Sequence, residues 1–329
     1  MRLFFAWTLV TATDKARVKS TPRVGKYNLN SNEINAISPD ECVKLLAGSK
    51  ILAVRDQESA IAEPVLGIPI EYIPFSEVNA AWSSADHDES AAIAERWQRD
   101  ATGVTDVSFD TLINSAAMYI GMKKVLKTHE ANGITINCLG GFYGGHIHAY
   151  PCLGFHELCN EGLVGGCECD IRSAATMLAF STLNGGRPGF ISDPVIDTSK
   201  RQIIYAHCVA PNRMFGPDGA KNPFRIMTHS EDRAGASVRS ILPLNYLTTT
   251  LEIINDKKEI LLHQAVSVDN DPDDRACRTK LCAEPIGDIE KLFTMWDIWG
   301  WHRVTFYGDL KEPVNALAER IGWKVINEA

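Results

Sequence analysis

No apolar run in this 329-residue sequence approaches the roughly 20 residues that a helix needs to cross a lipid bilayer. No block of lysine and arginine stands out either, and the formal net charge at pH 7 is -8. These two absences argue against a membrane protein and against nucleic acid or an anionic membrane as the main partner. Internal repeats and low-complexity segments are also missing, which argues against a repeat architecture.

Cysteine is present nine times, but no Cys-x-x-Cys pair occurs. An odd number of cysteines without the density of a small secreted scaffold predicts reduced thiols and a cytoplasmic protein. Cys159, Cys167 and Cys169 lack the paired spacing of a structural zinc site. The apolar segment 3–10 is shorter than an ordinary signal peptide and is predicted to be a buried strand.

The first half of the sequence alternates between strand and helix patterns. Ser38 and Pro39 are typical of a helix start, because serine caps and proline fits the first turn. Buried strands are predicted at 51–54, 68–73, 134–139 and 164–168, and helices at 88–99, 108–130, 151–160 and 171–183. This alternation predicts a parallel sheet with helices on its faces.

The second half favours consecutive strands, at 202–209, 248–254, 259–268 and 277–284, with a hairpin turn at Asn255 and Asp256. A last helix is predicted at 312–321. We therefore predict an α/β protein with three parts: an N-terminal arm (1–37), a Rossmann-like parallel α/β domain (38–187), and an antiparallel β-rich, barrel-like domain with a terminal helix (188–329).

Glu168 is the first candidate for chemistry. It lies at the carboxyl end of a predicted parallel strand, where ligand sites of open α/β sheets form. The alternative is an acidic residue in a surface turn. Asp170, two residues later, is predicted to serve only as the N-cap of the next helix.

Three further candidates are weaker taken singly. Asp193 follows a short apolar run, although Asp-Pro is also a common turn opener. His207 lies on a predicted strand, where a histidine is usually a core residue. His302, between Trp301 and Arg303, suits a pocket wall or a core corner. The glycine-rich segment 140–145 lacks the lysine of a P-loop and is predicted to be a mobile loop, with His146 and His148 as candidates to face the pocket.

Taken in order, these segments resemble the L-fucose and L-arabinose isomerase family, and the fucose branch more closely. The resemblance covers roughly residues 40–325 and rests on order and spacing. The matching pieces are 138–139, 166–170, 189–193, 205–208, 276–279 and 300–302.

The resemblance implies a metal-dependent aldose–ketose isomerase that commonly uses Mn²⁺ or a similar divalent cation. Glu168 and Asp193 match the carboxylates that hold the metal and move the proton, and His302 matches the C-terminal histidine ligand. His207 matches a further ligand of the arabinose branch. Arg303 stands where arabinose isomerases have a second histidine, which weighs against that branch.

Relatives of this kind are homo-oligomers and usually carry an additional N-terminal α/β domain, for which this sequence is too short. We therefore expect a sugar isomerase that works through an enediol and assembles as a homo-oligomer. Two alternatives remain at this point. One is another metal-assisted sugar lyase or epimerase, and the other is a non-catalytic sugar-binding or regulatory derivative of the isomerases.

Overall fold

A computed structural model describes residues 29–329 of the chain, apart from residues 31, 57 and 199. The strand predicted at 3–10 and most of the predicted arm (1–37) lie outside the described residues. The described end of the arm contacts the rest of the fold, because the Asn30 amide donates to the Asn245 carbonyl (2.8 Å) and the Ile37 amide to the Leu183 carbonyl (3.0 Å).

The first half forms a layer of helices around a small sheet. Its elements are α1 (Pro39–Ala47), β1 (Ile51–Arg55), β2 (Ala60–Val65), β3 (Ile68–Pro74), α2 (Phe75–Ser83), α3 (His87–Asp100), β4 (Val104–Thr105), α4 (Phe109–Thr128), β5 (Gly133–Ile136), α5 (Cys138–Tyr143), α6 (Cys152–Asn160), β6 (Val164–Gly166) and α7 (Ile171–Leu183). The predicted cap at Ser38 is confirmed, since its Oγ accepts from the Glu41 amide at 3.3 Å.

The sheet of this half has the strand order β2-β3-β1-β5-β6. Strands β3, β1, β5 and β6 are parallel, and β2 is an antiparallel edge strand. The structure thus confirms the parallel sheet, which is the part of the Rossmann-like expectation that it supports. Because β5 and β6 are parallel neighbours, the residues after both strands lie at one edge.

The second half is dominated by strands. Its elements are β7 (Phe190–Asp197), β8 (Gln202–His207), β9 (Phe224–Met227), β10 (Ser237–Ser240), β11 (Leu247–Ile254), β12 (Glu259–Asn270), β13 (Thr279–Pro285), α8 (Ile289–Trp296), β14 (Arg303–Tyr307), α9 (Lys311–Ile321) and β15 (Lys324–Asn327).

Six of these strands close an antiparallel barrel in the order β11-β14-β7-β8-β13-β12, with β12 paired back to β11. This confirms the predicted antiparallel barrel. Strand β15 adds to β12 in parallel, and β4 of the first half pairs with β9.

The domain boundaries at residues 37 and 187 stay predictions. Within the described residues, no helix has both the length and the apolar character that a membrane span requires.

Two local predictions need correction. The strand predicted at 134–139 ends at Ile136, and the segment 140–145 is not simply a loop, because α5 runs through Tyr143. Asn137 explains both differences: its side-chain oxygen accepts from the Gly140 amide at 3.3 Å and so caps a short helix. Cys138 and Leu139 belong to that helix rather than to the strand.

A buried ion pair joins β14 to the C-terminal residues. The Arg303 guanidinium donates to Glu328 at 2.7 Å, and His263 Nδ1 lies 3.1 Å from the other Glu328 oxygen. All three side chains are inaccessible to solvent. Arg303 also donates to the His302 carbonyl at 2.9 Å, so this cluster fixes the backbone beside a candidate site residue.

Candidate active site

The structure brings Glu168, Asp193 and His302 together, although they are far apart in sequence. Nε2 of His302 lies 3.1 Å from Asp193 Oδ1 and 3.6 Å from Glu168 Oε2. Asp193 lies within β7 of the barrel, and Glu168 follows β6 of the parallel sheet. The three residues therefore meet where the edge of the parallel sheet faces the barrel.

Glu168 is held in a strained turn. Both Glu168 (φ 62°) and Cys169 (φ 52°) have left-handed backbone conformations, which cost free energy for residues other than glycine. The turn is fixed because the Cys169 amide donates to the Ile136 carbonyl (2.9 Å) and the Asp170 amide to the Cys167 carbonyl (3.2 Å). Strain of this kind is typical of functional sites.

The barrel register places the other residues of the site. Ser192 pairs with Arg303, so Asp193 lies beside His302 across β7 and β14. Asp193 also pairs with Ala206, which places His207 next to it at the end of β8. Asp193 therefore occupies a strand interior rather than the turn that Asp-Pro sequences often form.

His302 is oriented by Asp170. Nδ1 of His302 lies 2.8 Å from Asp170 Oδ2, while Asp170 Oδ1 accepts from the Ser173 amide at 2.9 Å and caps α7. The N-cap prediction is confirmed, but the sequence offered no sign of this second contact. With Nδ1 engaged, Nε2 points at the two carboxylates. Nε2 has no aligned hydrogen-bond partner among the described atoms.

His207 presents a second buried nitrogen. Its Nδ1 accepts from the Cys208 amide at 3.0 Å, and its Nε2 lies 4.0 Å from Glu168 Oε1 without a hydrogen-bond partner among the described residues. Burial lowers the pKa of His207 to about 4, so the ring is neutral at physiological pH.

The two carboxylates of the site have pKa values that move in opposite directions. The pKa of Glu168 is raised to about 7, mainly by burial and in part by the charges of Asp193 and Asp170, while His302 acts to lower it. Burial also acts to raise the pKa of Asp193, but His302 outweighs it, and this pKa is lowered. Such a separation is typical of a pair in which one group moves a proton and the other stays charged.

The site opens into a cavity of about 170 Å³. Glu168, Asp193 and Glu231 contribute carboxylates to its wall, and the described residues that line it include no lysine or arginine. Five thiols also line it: Cys138, Cys152, Cys167, Cys208 and Cys277. The cavity is therefore acidic and lined with sulfur on one side.

The two histidines that the sequence offered as candidates for this wall lie elsewhere. His146 stacks on Phe75, His148 lies beside Trp82, and neither is among the residues that line the cavity. His229 and Glu231 line it instead. Both lie between β9 and β10, in a stretch without a recognisable motif, so the sequence carried no signal for them.

The donor set fits a divalent cation. One ligand atom each of Asp193, His207 and His302 lie within 4.8 Å of one another, and the same holds for Cys167, Glu168 and His207. The Nε2 atom of His207 is buried without a hydrogen-bond partner among the described residues, as expected for a group that awaits a ligand. Carboxylate oxygens with imidazole suit Mn²⁺ or a similar ion.

Asp170→Asn is expected to weaken Mn²⁺ binding about 10- to 100-fold, because the partner that orients His302 loses its charge. Asparagine is as good a helix cap as aspartate, so the cap on α7 is kept. Asp288→Asn is the matched control, since Asp288 caps α8 without contact to the site. Calorimetric titration with Mn²⁺ measures the effect, and equal affinities for the two variants would refute the orienting role.

No protein-family model matches the chain, but several curated proteins are similar to it. Sulfoquinovose isomerase of Priestia aryabhattai is 24% identical over 146 residues, which are 44% of this chain and 32% of that protein. L-arabinose isomerase of Bacteroides thetaiotaomicron is 26% identical over 169 residues, 47% of this chain and 33% of the relative.

A longer match is to sulfoquinovose isomerase of Clostridium sp. (strain MSTE9). It is 22% identical over 279 residues, which are 78% of this chain and 57% of that relative. The matched region thus spans between about a third and somewhat over half of the relatives' own lengths. The chain is similar to sugar isomerases that act on two different sugars.

Proposed function

We propose that this chain is an aldose–ketose isomerase that depends on Mn²⁺ or a similar divalent cation and uses Glu168, Asp193 and His302. The convergence of these three side chains from the two halves of the fold is the observation that carries the proposal. The similarity to sugar isomerases supports the same reaction class.

Glu168, Asp193 and His302 would hold the metal, with His207 as a further candidate ligand. When bound, the metal supplies a Lewis acid that polarises the sugar carbonyl and neutralises charge on its oxygen. Binding at Nε2 of His302 would displace a proton: burial opposes protonation, but Asp170 and Asp193 raise the pKa of His302 well above its usual range.

Glu168 is the residue proposed to move the proton between C1 and C2 of the sugar. The Glu168 carboxylate lines the cavity in which the sugar would lie, so it can accept a proton from one carbon and return it to the other. Asp193, whose pKa is lowered, stays charged beside His302. With His302 oriented by Asp170, both carboxylates are held against the substrate cavity.

The proposal also includes that the isomerase is of the L-fucose isomerase type. It rests on the set of two carboxylates and one histidine, and on Arg303 in place of a second histidine. The cavity wall supports an uncharged sugar over sulfoquinovose, because three carboxylates and no cation line its described part. The three carboxylates would repel a sulfonate there, and no lysine or arginine of the described lining offsets its charge.

A panel of sugars tests the proposal. The Mn²⁺-loaded protein is incubated with neutral aldoses, among them L-fucose and L-arabinose, and with sulfoquinovose, and the ketose is detected by NMR. We expect a neutral aldose to be converted at least tenfold faster than sulfoquinovose, and a chelator to stop the reaction. Preference for sulfoquinovose would refute the substrate assignment, and the absence of any ketose would refute the isomerase.

The same panel separates the alternatives. An epimer as product would favour an epimerase, and saturable sugar binding without turnover would favour a non-catalytic derivative.

We also propose that the chain assembles as a homo-oligomer in the cytoplasm. Exposed apolar side chains around α8 support a subunit contact: Ile286, Phe293, Ile298 and Trp301.

A further inference from the structure

The thiols in the cavity wall are not used by the proposed reaction. Cys138 and Cys167 stand out among them, because their Sγ atoms are only 3.0 Å apart. A disulfide bond requires about 2.05 Å, so the two sulfur atoms need to approach by about 1 Å. Both residues line the cavity, which gives a small reagent a path to them.

The fold holds this pair together. Cys138 is the first residue of α5 and is separated from the end of β5 only by Asn137, which caps the helix. Cys167 directly follows β6. Since β5 and β6 are paired parallel neighbours, both cysteines lie at the same edge of the sheet. Thr135 donates to the Cys167 carbonyl at 3.3 Å and ties the backbone of Cys167 to β5.

We propose that Cys138 and Cys167 are a redox modification site, which forms a reversible disulfide beside Glu168 and switches the candidate active site off. The oxidant is a small organic disulfide. The thiolate of one cysteine attacks a sulfur of that disulfide, forms a mixed disulfide and releases one small thiol. The second cysteine then attacks the protein sulfur and displaces the other small thiol. The protein loses two electrons and two protons, and the reagent gains them.

Two other thiols of the wall, Cys208 and Cys277, are also neighbours, and the contact with Cys277 lowers the pKa of Cys208. Cys277 donates to Asp193 Oδ2 at 3.7 Å, and Cys208 lies 3.8 Å from the Ser230 hydroxyl. A bond between Cys208 and Cys277 is therefore the competing outcome of oxidation. The Cys138–Cys167 pair is favoured because its sulfur atoms already lie within 3.0 Å of each other.

The disulfide would act on Glu168 through the chain. Cys167 precedes Glu168, whose left-handed turn depends on the Cys169 and Asp170 amide hydrogen bonds. Drawing Cys167 toward α5 by about 1 Å would displace the carboxylate, and a displacement of that size can cost about 10²-fold in rate. This effect on rate rests on the proposed isomerase function, whereas formation of the bond does not.

The experiment oxidises the full chain with bis(2-hydroxyethyl) disulfide, alkylates the remaining thiols and maps the cross-linked peptides by mass spectrometry. We expect a Cys138–Cys167 link, a loss of isomerisation of about 10²-fold, and recovery on reduction with dithiothreitol. The double variant Cys138→Ser/Cys167→Ser, which can form neither the link nor a mixed disulfide at these positions, should show the same rate before and after oxidation. Cys282→Ala, which leaves the pair intact, should be inactivated like the parent.

Two outcomes would overturn the proposal. One is the absence of the Cys138–Cys167 link, including its replacement by a Cys208–Cys277 link. The other is equal inactivation of the double variant Cys138→Ser/Cys167→Ser and the parent. If the chain isomerises no sugar, the peptide map still decides whether the bond forms. Mn²⁺ affinity before and after oxidation then replaces the rate, and an unchanged affinity would contradict the effect on Glu168.

Discussion

Glu168→Gln is expected to lower kcat for isomerisation by about 10²–10⁴, which is the usual loss when a general base is removed. Glutamine keeps the volume of the side chain but cannot accept a proton from the sugar. Loss of a charged metal ligand would add to the effect. Glu161→Gln is the matched control, because Glu161 is a partly exposed carboxylate that binds Lys123 at 2.9 Å and does not line the cavity.

His302→Ala separates the ligand role from proton transfer. This variant should bind Mn²⁺ more weakly and regain part of its activity in excess Mn²⁺, whereas Glu168→Gln should stay slow at saturating metal. Initial rates at increasing Mn²⁺ concentration distinguish the two responses. If Glu168→Gln isomerises sugar as fast as the parent, Glu168 does not carry the proton.

Glu328→Gln is expected to lower the free energy of unfolding by about 3–5 kcal/mol, the usual cost of breaking a buried ion pair. Glutamine leaves the Arg303 guanidinium buried without its counter-charge. Asp40→Asn is the matched control, because Asp40 pairs with Arg320 on the surface, where such pairs contribute about 0–1 kcal/mol. Urea denaturation of both variants measures the difference.

The same ion pair sets a pH dependence. Burial acts to raise the pKa of Glu328, but the His263 hydrogen bond and the Arg303 charge outweigh it and lower this pKa from 4.5 to about 2. The stabilisation is therefore complete above pH 4.5 and is lost as the pH falls toward 2. The parent should lose stability across this window more steeply than Glu328→Gln, and parallel curves would contradict the assignment.

Much of the fold could be predicted from local patterns. The switch from helix–strand alternation to consecutive strands predicted the parallel sheet and the barrel, and strand ends in parallel sheets pointed to Glu168. The short helix α5 was missed because the sequence Ile-Thr-Ile-Asn-Cys-Leu suits a strand throughout. The strand ends at Ile136 only because the Asn137 side chain caps a helix that begins at the next residue. Side-chain caps of this kind act over three residues and compete closely with strand propensity.

The site could be predicted only in part, because its geometry depends on contacts between distant strands. The resemblance singled out Glu168, Asp193 and His302, and barrel closure is what places Asp193 beside His302. The contact of Asp170 with His302 spans 132 residues and leaves no local signal. Asp170 was therefore interpreted only as a helix cap, although it also orients the histidine.

Deuterium incorporation tests the central claim most directly. The Mn²⁺-loaded protein is incubated in D₂O with the neutral aldose that it converts, and the recovered aldose and ketose are analysed by NMR. Proton transfer through an enediol exchanges the transferred hydrogen with solvent, so the account predicts deuterium at C2 of the recovered aldose and at C1 of the ketose. It also predicts that Glu168→Gln loses this exchange by about 10²–10⁴. Ketose formed without any deuterium, or exchange that persists unchanged in Glu168→Gln, would contradict a proton transfer by Glu168.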